Sequence, residues 1–196
     1  PELIAYRPPH CTQNFMIAVP QNKTFGKTCS LNFTVKKAKI ISRYATKKEP
    51  PIFNKHHLEK IVASLPKQYT LSMIDSHFYK LCKSEAWSKD LVSQFSTYEK
   101  YRRLGIGVVI SKDGLIISGA SSYSRYQNGI EIEIDTRKEY RRNGFACICA
   151  AKLILECLKR NLYPSWDAHN KASAALAEKL GYHYSHAYTA LEIWDY

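Results

Sequence analysis

Two stretches of this chain hold residues whose types and spacing could do chemistry. The first is Arg141-Arg142-Asn143-Gly144-Phe145-Ala146, set between an alternating strand pattern and a long apolar helical one. A turn that opens a helix leaves the first backbone N–H groups without intrahelical partners. Those donors, with the positive end of the helix dipole, suit a phosphate or diphosphate. Gly144 lets the backbone come close to such an anion, Ala146 keeps the next turn clear, and Arg137, Lys138, Arg141 and Arg142 add positive charge. The second stretch is Ile130-Glu131-Ile132-Glu133-Ile134-Asp135, which alternates strictly, isoleucines on one face and carboxylates on the other. That acidic face favours a cationic partner, and Asp135 is placed to face the loop cations.

The elements that must position these groups follow from periodicity. From Gly144 a helix is predicted to about Arg160, its charged residues Lys152, Glu156, Lys159 and Arg160 forming one stripe. The rest of its circumference is apolar or small and must be covered. Upstream, Gly107 to Ile110 and Leu115 to Ser118 flank Lys112-Asp113-Gly114, a hairpin signal because Asp-Gly accepts positive φ. With the turn Gln127-Asn128-Gly129 this predicts a three-stranded antiparallel meander. Downstream come a short strand at Tyr163 to Trp166, a helix from Asn170 to Leu180 ended by Gly181, and strands at Tyr182 to Tyr188 and Ala190 to Trp194 that can close the sheet. Before the meander, Asn54 can cap a helix to about Leu65, and Asp75 to Cys82 and Ser88 to Phe95 read as two short amphipathic helices. Phe15 to Val19, Leu31 to Val35 and Ile40 to Ala45 read as strands of a small appended N-terminal region, residues 1–50. Pro50-Pro51 marks the boundary with residues 51–196, since two prolines fit neither a helix interior nor a central strand. The chain opens on Pro1, not Met, so further residues are expected upstream.

Composition narrows the classes. With 45% hydrophobic and 23% charged residues the chain is neither disordered nor a fibrous repeat. No apolar run approaches the roughly 20 residues of a membrane span and no signal peptide opens the chain, which predicts a soluble, cytoplasmic protein. The net charge is +12, of which residues 1–98 carry +9. A nucleic-acid surface is one reading of that excess, but no zinc finger, basic zipper or RNA-binding strand signature accompanies it, and a solvated basic face is favoured. The six cysteines lack any Cys-x-x-Cys pair, and the histidines lack companions at ligand spacing, so no metal site is expected.

Six-residue patterns are weak alone. Arg102-Arg103-Leu104-Gly105-Ile106-Gly107 repeats the Arg-x-x-Gly spacing, yet the β-branched Val108-Val109-Ile110 follows, so it opens no helix. The 141–146 copy is different because its strand, loop, helix and a second segment occur in order. Residues 130–146, the helix behind them, and Asn170 to Tyr182 resemble the GNAT superfamily of acyl-CoA-dependent N-acetyltransferases, over about residues 70–196. The stretches 130–136 and 164–170 are similar to a bacterial branch of zwittermicin-resistance-type acetyltransferases. The resemblance implies an α+β fold: a mixed, mainly antiparallel central sheet with helices on both faces, plus the N-terminal extension. It also implies acetyl-CoA in a V-shaped gap between the strands 130–136 and 163–166, and direct transfer to a small-molecule or peptide amine. Backbone groups of Ile134 and Thr136 would pair with the pantetheine arm. Arg141, Arg142, Asn143, Gly144, Phe145 and Ala146 would hold the diphosphate, with Asn170 and Ser173 in the second cofactor segment.

For the base, Glu133 and Glu131 are the candidates, Glu133 preferred as nearer the splayed end of its strand; the alternative is that both line a solvent face. For the acid the chain departs from the family: the frequent Tyr seven residues beyond the Asn is Ala177. Tyr182 or Tyr184 could substitute, or solvent could protonate the sulfur. Asn170 is also a good helix cap in its own right. A catalytically weak CoA-binding module of the same fold stays open as the second reading.

Overall fold

The computed structural model describes residues 15–20, 37–49 and 53–194. In chain order these form β1 (Phe15–Ala18), β2 (Lys37–Thr46), α1 (Lys55–Ala63), β3 (Thr70–Met73), α2 (Ser76–Ser84), α3 (Tyr98–Leu104), β4 (Gly107–Lys112), β5 (Leu115–Tyr126) and β6 (Gly129–Thr136). Then follow α4 (Phe145–Lys159), β7 (Tyr163–Ser165), β8 (Asp167–Ala168), α5 (Lys171–Lys179) and β9 (Tyr184–Trp194), with 3₁₀ turns at Lys89–Leu91 and Lys138–Tyr140.

The strands make two sheets. One has the order β3-β4-β5-β6-β7, the other β1-β9-β2-β8. In the first, every neighbouring pair is antiparallel except β6 and β7, which run parallel. The hairpin between β4 and β5 turns on Asp113 (φ 50°) and Gly114 (φ 78°), the pair of left-handed residues that a tight primed turn needs. Both faces of this sheet are covered, so its central strands read as unbroken apolar runs. Val108 and Ile110 of β4 join Ile117, Ile130 and Leu153 in the core under α4, while Val109 and Ile116 point the other way into a core with Tyr79, Leu91, Phe95 and Tyr101. Burial on both sides thus comes from one three-residue β-branched run.

The charged stripe of α4 becomes a small ion cluster: Glu156 takes Lys152 (3.0 Å), Lys159 (3.0 Å) and Arg160 (2.9 Å). The rest of that helix is packed, with Leu153, Ile154 and Cys157 fully buried.

Several expectations shift. Ser88 to Phe95 is not a helix but a single 3₁₀ turn at Lys89–Leu91; the helix comes later, as α3, where the Thr97 side chain caps Lys100 N–H. Strand β3 is short and only partly apolar, too weak a pattern to see. The C-terminal segment is one strand, β9, and it does not close the first sheet: it lies between β1 and β2 in the second. The described parts of residues 1–50 are therefore hydrogen-bonded to the last strand of the chain and do not stand apart from it. The strand expected at Leu31 to Val35 and the boundary at Pro50-Pro51 lie outside the described residues. Among the described residues no helix is long and apolar enough to cross a membrane.

Leu153 sits at 0% exposure where α4 meets the sheet. Leu153→Ala is expected to cost about 2–5 kcal/mol through lost burial and the cavity left behind. A denaturant titration measures it, and a loss under 1 kcal/mol would mean α4 does not cover the sheet as described.

Candidate active site

The site begins where two strands part. β6 and β7 pair over three positions, Gly129 with Tyr163, Ile130 with Pro164 and Glu131 with Ser165. One residue later, after Trp166, the chain is in the other sheet: Asp167 pairs with Ala45 and Ala168 with Tyr44. Beyond Glu131, one edge of β6 is left without a strand. Tyr163 N–H donates to Asn128 O at 2.8 Å, so even-numbered residues of β6 turn their backbone groups to this side. Ile132 and Ile134 therefore present amide and carbonyl groups to the gap. Thr136 belongs to the same set, but its amide donates to Asp135 Oδ1 (3.0 Å) and its carbonyl accepts from Arg141 Nε (3.0 Å). Its backbone is already engaged; the Ile134 amide in turn donates toward the Glu133 carboxylate, so the Ile134 carbonyl and the backbone of Ile132 are what remain to the gap.

Below the gap, α4 opens without a side-chain cap, Gly144 taking φ 81° at the cap position. The other four helices among the described residues are capped by Asn54, Asp75, Thr97 and Asn170. The first helical bond here is Ile148 N–H to Gly144 O (3.1 Å), which leaves the amides of Phe145, Ala146 and Cys147 as free first-turn donors. A Cβ placed on Gly144 would meet nothing within 4 Å, so open space lies before the loop. The demand for glycine there is conformational. A groove of about 730 Å³ runs past these amides, with Arg141, Arg142 and Lys179 as its cations and Ile134, Asn170 and Ser173 on its walls. Phe145 contributes backbone only, since its ring is buried against Tyr69 (4.7 Å between centroids). Asn143 does not line the groove: its amide folds back to the carbonyls of Tyr140 (3.2 Å) and Arg141 (3.3 Å) and fixes the loop. Asn170 accepts from Ser173 N–H (2.9 Å), and Ser173 Oγ accepts from Trp166 Nε1 (3.1 Å).

A second cavity, about 660 Å³, shares Ile134, Trp166, Asn170 and Ser173 with the groove, so the two join at the parting of the strands. Glu131 and Glu133 enter it from β6, Asp90 from the 3₁₀ turn, and Arg43, Tyr188 and Glu192 from the second sheet. Tyr123 reaches it too: the β5–β6 register slips between Ser122 and Ser124, and the bulged residue is aimed inward. The β6 acids therefore face a partly enclosed cavity on an interior strand, not open solvent. Burial, then the neighbouring carboxylates of Asp135 and Asp90, push Glu133 up to about 7. Glu131 is raised as well, chiefly by burial, with a hydrogen bond from Ser165 opposing. Asp135 faces Arg141 Nη2 at 3.8 Å, as the charge pattern suggested.

Tyr182 has a different job from the one expected. It is 1% exposed, packs edge-on to Trp166 and Phe53, and donates its hydroxyl proton to Pro164 O at 2.6 Å. It lines neither cavity, and burial holds its ionisation well above the ordinary tyrosine range. Ala177 is buried in the same apolar cluster. Tyr184 lies exposed on β9. The groups that sequence reasoning did not name are Arg43, Asp90, Tyr123, Asp167, Tyr188 and Glu192. Arg43 Nε meets Asp167 Oδ2 (2.6 Å) across 124 positions of chain, a pairing with no local signature. Among the described residues no cluster of three His, Cys, Asp or Glu side chains is arranged to hold a metal ion.

An uncapped helix start thus lies beside a strand that has lost its neighbour, with an acid-lined cavity opening on the other side. The sequence model of the family described as GNAT acetyltransferase matches residues 1–191, and the chain belongs to that family. It is 33% identical over 132 residues to the uncharacterized N-acetyltransferase YdfB of Bacillus subtilis (strain 168), across 63% of this chain and 48% of that protein. The chain thus spans about half the length of this curated relative. A crystal structure of a GCN5-related N-acetyltransferase-like protein from Streptococcus suis 89/1591 superposes with a TM-score of 0.85 at 47% identity, covering 90% of this chain and 70% of that one. A GCN5-related N-acetyltransferase from Kribbella flavida shares the fold at a TM-score of 0.61 and 17% identity, over 92% of this chain and 67% of that one.

Glu133 carries a stability consequence. Because its folded pKa, about 7, lies above the ordinary carboxylate value, the folded chain keeps a proton that the unfolded chain releases. The stability it contributes is complete below about pH 4.3 and is lost as pH rises through 7, with a slope of at most ~1.4 kcal/mol per pH unit. Glu133→Gln should flatten that segment of the stability curve between pH 5 and 7. An unchanged curve in chemical denaturation would show that the carboxylate is not held in this environment.

Proposed function

We propose that this chain transfers an acetyl group from acetyl-CoA to a primary amine by direct attack in a ternary complex. The observation that carries the reading is the continuity of the two cavities: a cation-lined groove and a carboxylate-lined one meet at the unpaired edge of β6. The residues present fit a diphosphate-bearing acyl donor, since the amides of 145–147 are free and Arg141, Arg142 and Lys179 flank them. When bound, such a donor supplies a thioester carbon open to attack. Ile132 and Ile134 hold its arm through their backbone groups, and Asn170 and Ser173 close the groove from the α5 side.

Glu133 is the group that takes a proton from the acceptor ammonium, leaving the free amine whose lone pair attacks the thioester carbon. At about 7 it lies close to neutral pH, where a base keeps its affinity for the proton and is still half ionised. Glu131, one strand step away at the last paired position, supports the same field. Solvent reaching the open cleft returns a proton to the departing sulfur, an ordinary thiol ionising near ~8.5 and needing no dedicated acid. That disposes of the requirement for a tyrosine at the position of Ala177.

The burial of Tyr182 and Ala177 also favours a second reading, a module that holds CoA without turning it over. Titrating acetyl-CoA in a thermal-unfolding experiment tests the shared part: at 100 Kd a single site adds about 2.7 kcal/mol. No shift at millimolar concentration would overturn both readings. Thiol release with a panel of amines then separates them. In the transferase, kcat/KM rises with pH through an inflection near 7, and Glu133→Gln lowers it by roughly 10²–10⁴ while the cofactor-induced shift is kept. Equal turnover by Glu133→Gln would remove Glu133 from the role of base.

A further inference from the structure

Of the cations that follow β6, Arg141 and Arg142 line the donor groove and Arg137 does not. Its guanidinium is taken up by the segment after α2 instead. Nη2 donates to Glu85 Oε2, and the guanidinium carbon lies 5.3 Å from the centroid of the Trp87 ring. The Trp87 indole N–H donates to the same Glu85 oxygen at 2.6 Å. Arg137 Nε donates to Ile116 O (3.1 Å) and its amide to Ile117 O (2.9 Å), so the residue is also fastened to β5. One planar group thus joins the end of α2, β5 and the end of β6. A guanidinium has the fork and the flat face for this; an ammonium has neither.

What this clamp holds is the 3₁₀ turn at Lys89–Leu91. Glu85 is the foot of that turn: the amides of Ser88 (3.2 Å) and Lys89 (3.0 Å) donate to its carbonyl. At the far end Leu91 is fully buried over Gly119, where a Cβ would stand 2.6 Å from Leu91 Cδ1. Gly119 is the register partner of Asp135, two residues before Arg137. The turn is therefore anchored to the sheet at both ends. Asp90 lies between the anchors, on the wall of the same cavity as Glu133. Around Glu133 stand Glu131 and Asp135 on its own strand, Tyr123 from β5 and Arg43 from β2. Its register partner Ser121 shares a hydrogen bond with the buried Tyr101 (2.9 Å). Asp167, His169, Tyr188 and Glu192 complete the ionisable lining of the cavity. Three charges act most on Glu133, those of Asp135, Asp90 and Arg43. Asp135 and Arg43 ride on strands, and Asp90 alone of the three rides on a turn.

We propose that Arg137 is a positioning residue: with Glu85 and Trp87 it seats the 3₁₀ turn against the sheet and so fixes the distance between the carboxylates of Asp90 and Glu133. The consequence for turnover rests on the acetyltransferase reading; the clamp itself does not. While the turn is seated, the Asp90 charge opposes ionisation of Glu133. With the clamp released, the turn moves toward solvent and Glu133 gives up its proton at lower pH. The sign separates this from a direct effect of the Arg137 charge. Taking a cation away from a carboxylate raises its affinity for a proton, whereas taking an anion away lowers it.

Carbon-13 NMR titration of the glutamate carboxyl groups reads Glu133 without turnover, its resonance identified by its loss in Glu133→Gln. Arg137→Met and Trp87→Leu should each move the Glu133 midpoint to lower pH by roughly half a pH unit, toward that of Asp90→Asn. Trp87→Leu changes no charge and carries the test should Arg137→Met fail to fold. On the Asp90→Asn background neither substitution should move the midpoint further. Acetyl-CoA should raise the unfolding temperature of both variants as it does that of the wild type. An unmoved or raised midpoint would overturn the proposal, as would a fall that persists in full without the Asp90 carboxylate. Weakened acetyl-CoA binding beside an unmoved midpoint would make Arg137 a donor ligand and overturn it equally. Thiol release with a panel of amines separates the two layers. A kcat/KM inflection that follows the Glu133 midpoint across the variants supports both. Lowered midpoints beside no turnover in any form, wild type included, keep the clamp and overturn the acetyltransferase reading.

Discussion

A single peptide segment sets the geometry of this protein. Ser165 belongs to one sheet and Asp167 to the other, with Trp166 alone between them. A strand that changes sheets in one step cannot stay paired with its neighbour, and the edge of β6 is exposed as a result. Trp166 is fixed on three sides: Thr46 Oγ1 donates to its carbonyl (2.7 Å), its indole N–H donates to Ser173, and its ring meets Tyr182. The Arg43–Asp167 pair then locks the first residue of the new strand. Without that clamp the parting would be a frayed end, not a cleft.

β6 serves three surfaces at once because extended backbone separates its functions in space. Its isoleucine side chains face the core, Glu131 and Glu133 face the carboxylate-lined cavity, and its free backbone edge and Asp135 face the cation-lined groove. The two cavities carry opposite charge, Arg141, Arg142 and Lys179 on one side and carboxylates on the other. This suits an anionic donor and a cationic acceptor that must meet at one point. Burial, and then the carboxylates of Asp135 and Asp90, raise the affinity of Glu133 for a proton.

How much of this was legible in the sequence depends on distance along the chain. The 130–146 segment was readable because strand alternation, loop charge and helix pattern are contiguous, and Asn170 announced itself as a cap in one turn of sequence. The donor side followed from those signals and from the resemblance they support. The acceptor side was not readable. Arg43, Tyr188 and Glu192 come from strands whose pairing spans most of the chain, and Tyr123 is aimed inward by a bulge that leaves no compositional mark. Tyr182 was misjudged for a related reason: a buried tyrosine whose proton goes to a backbone carbonyl has the same letter as one poised in a cleft.

The two halves of the cleft also differ in how they come together. The donor half is drawn from residues 134–179, with a helix start, a strand and a second helix close in sequence. The acceptor half needs β1 and β2 brought against β9, closing loops of well over one hundred residues. Loop-closure entropy grows with such separations, and contacts of that range form late. An order of assembly is therefore built into the topology: the helix-start groove can form from its own neighbourhood, whereas the chamber beside it exists only after β1 and β2 have met β9.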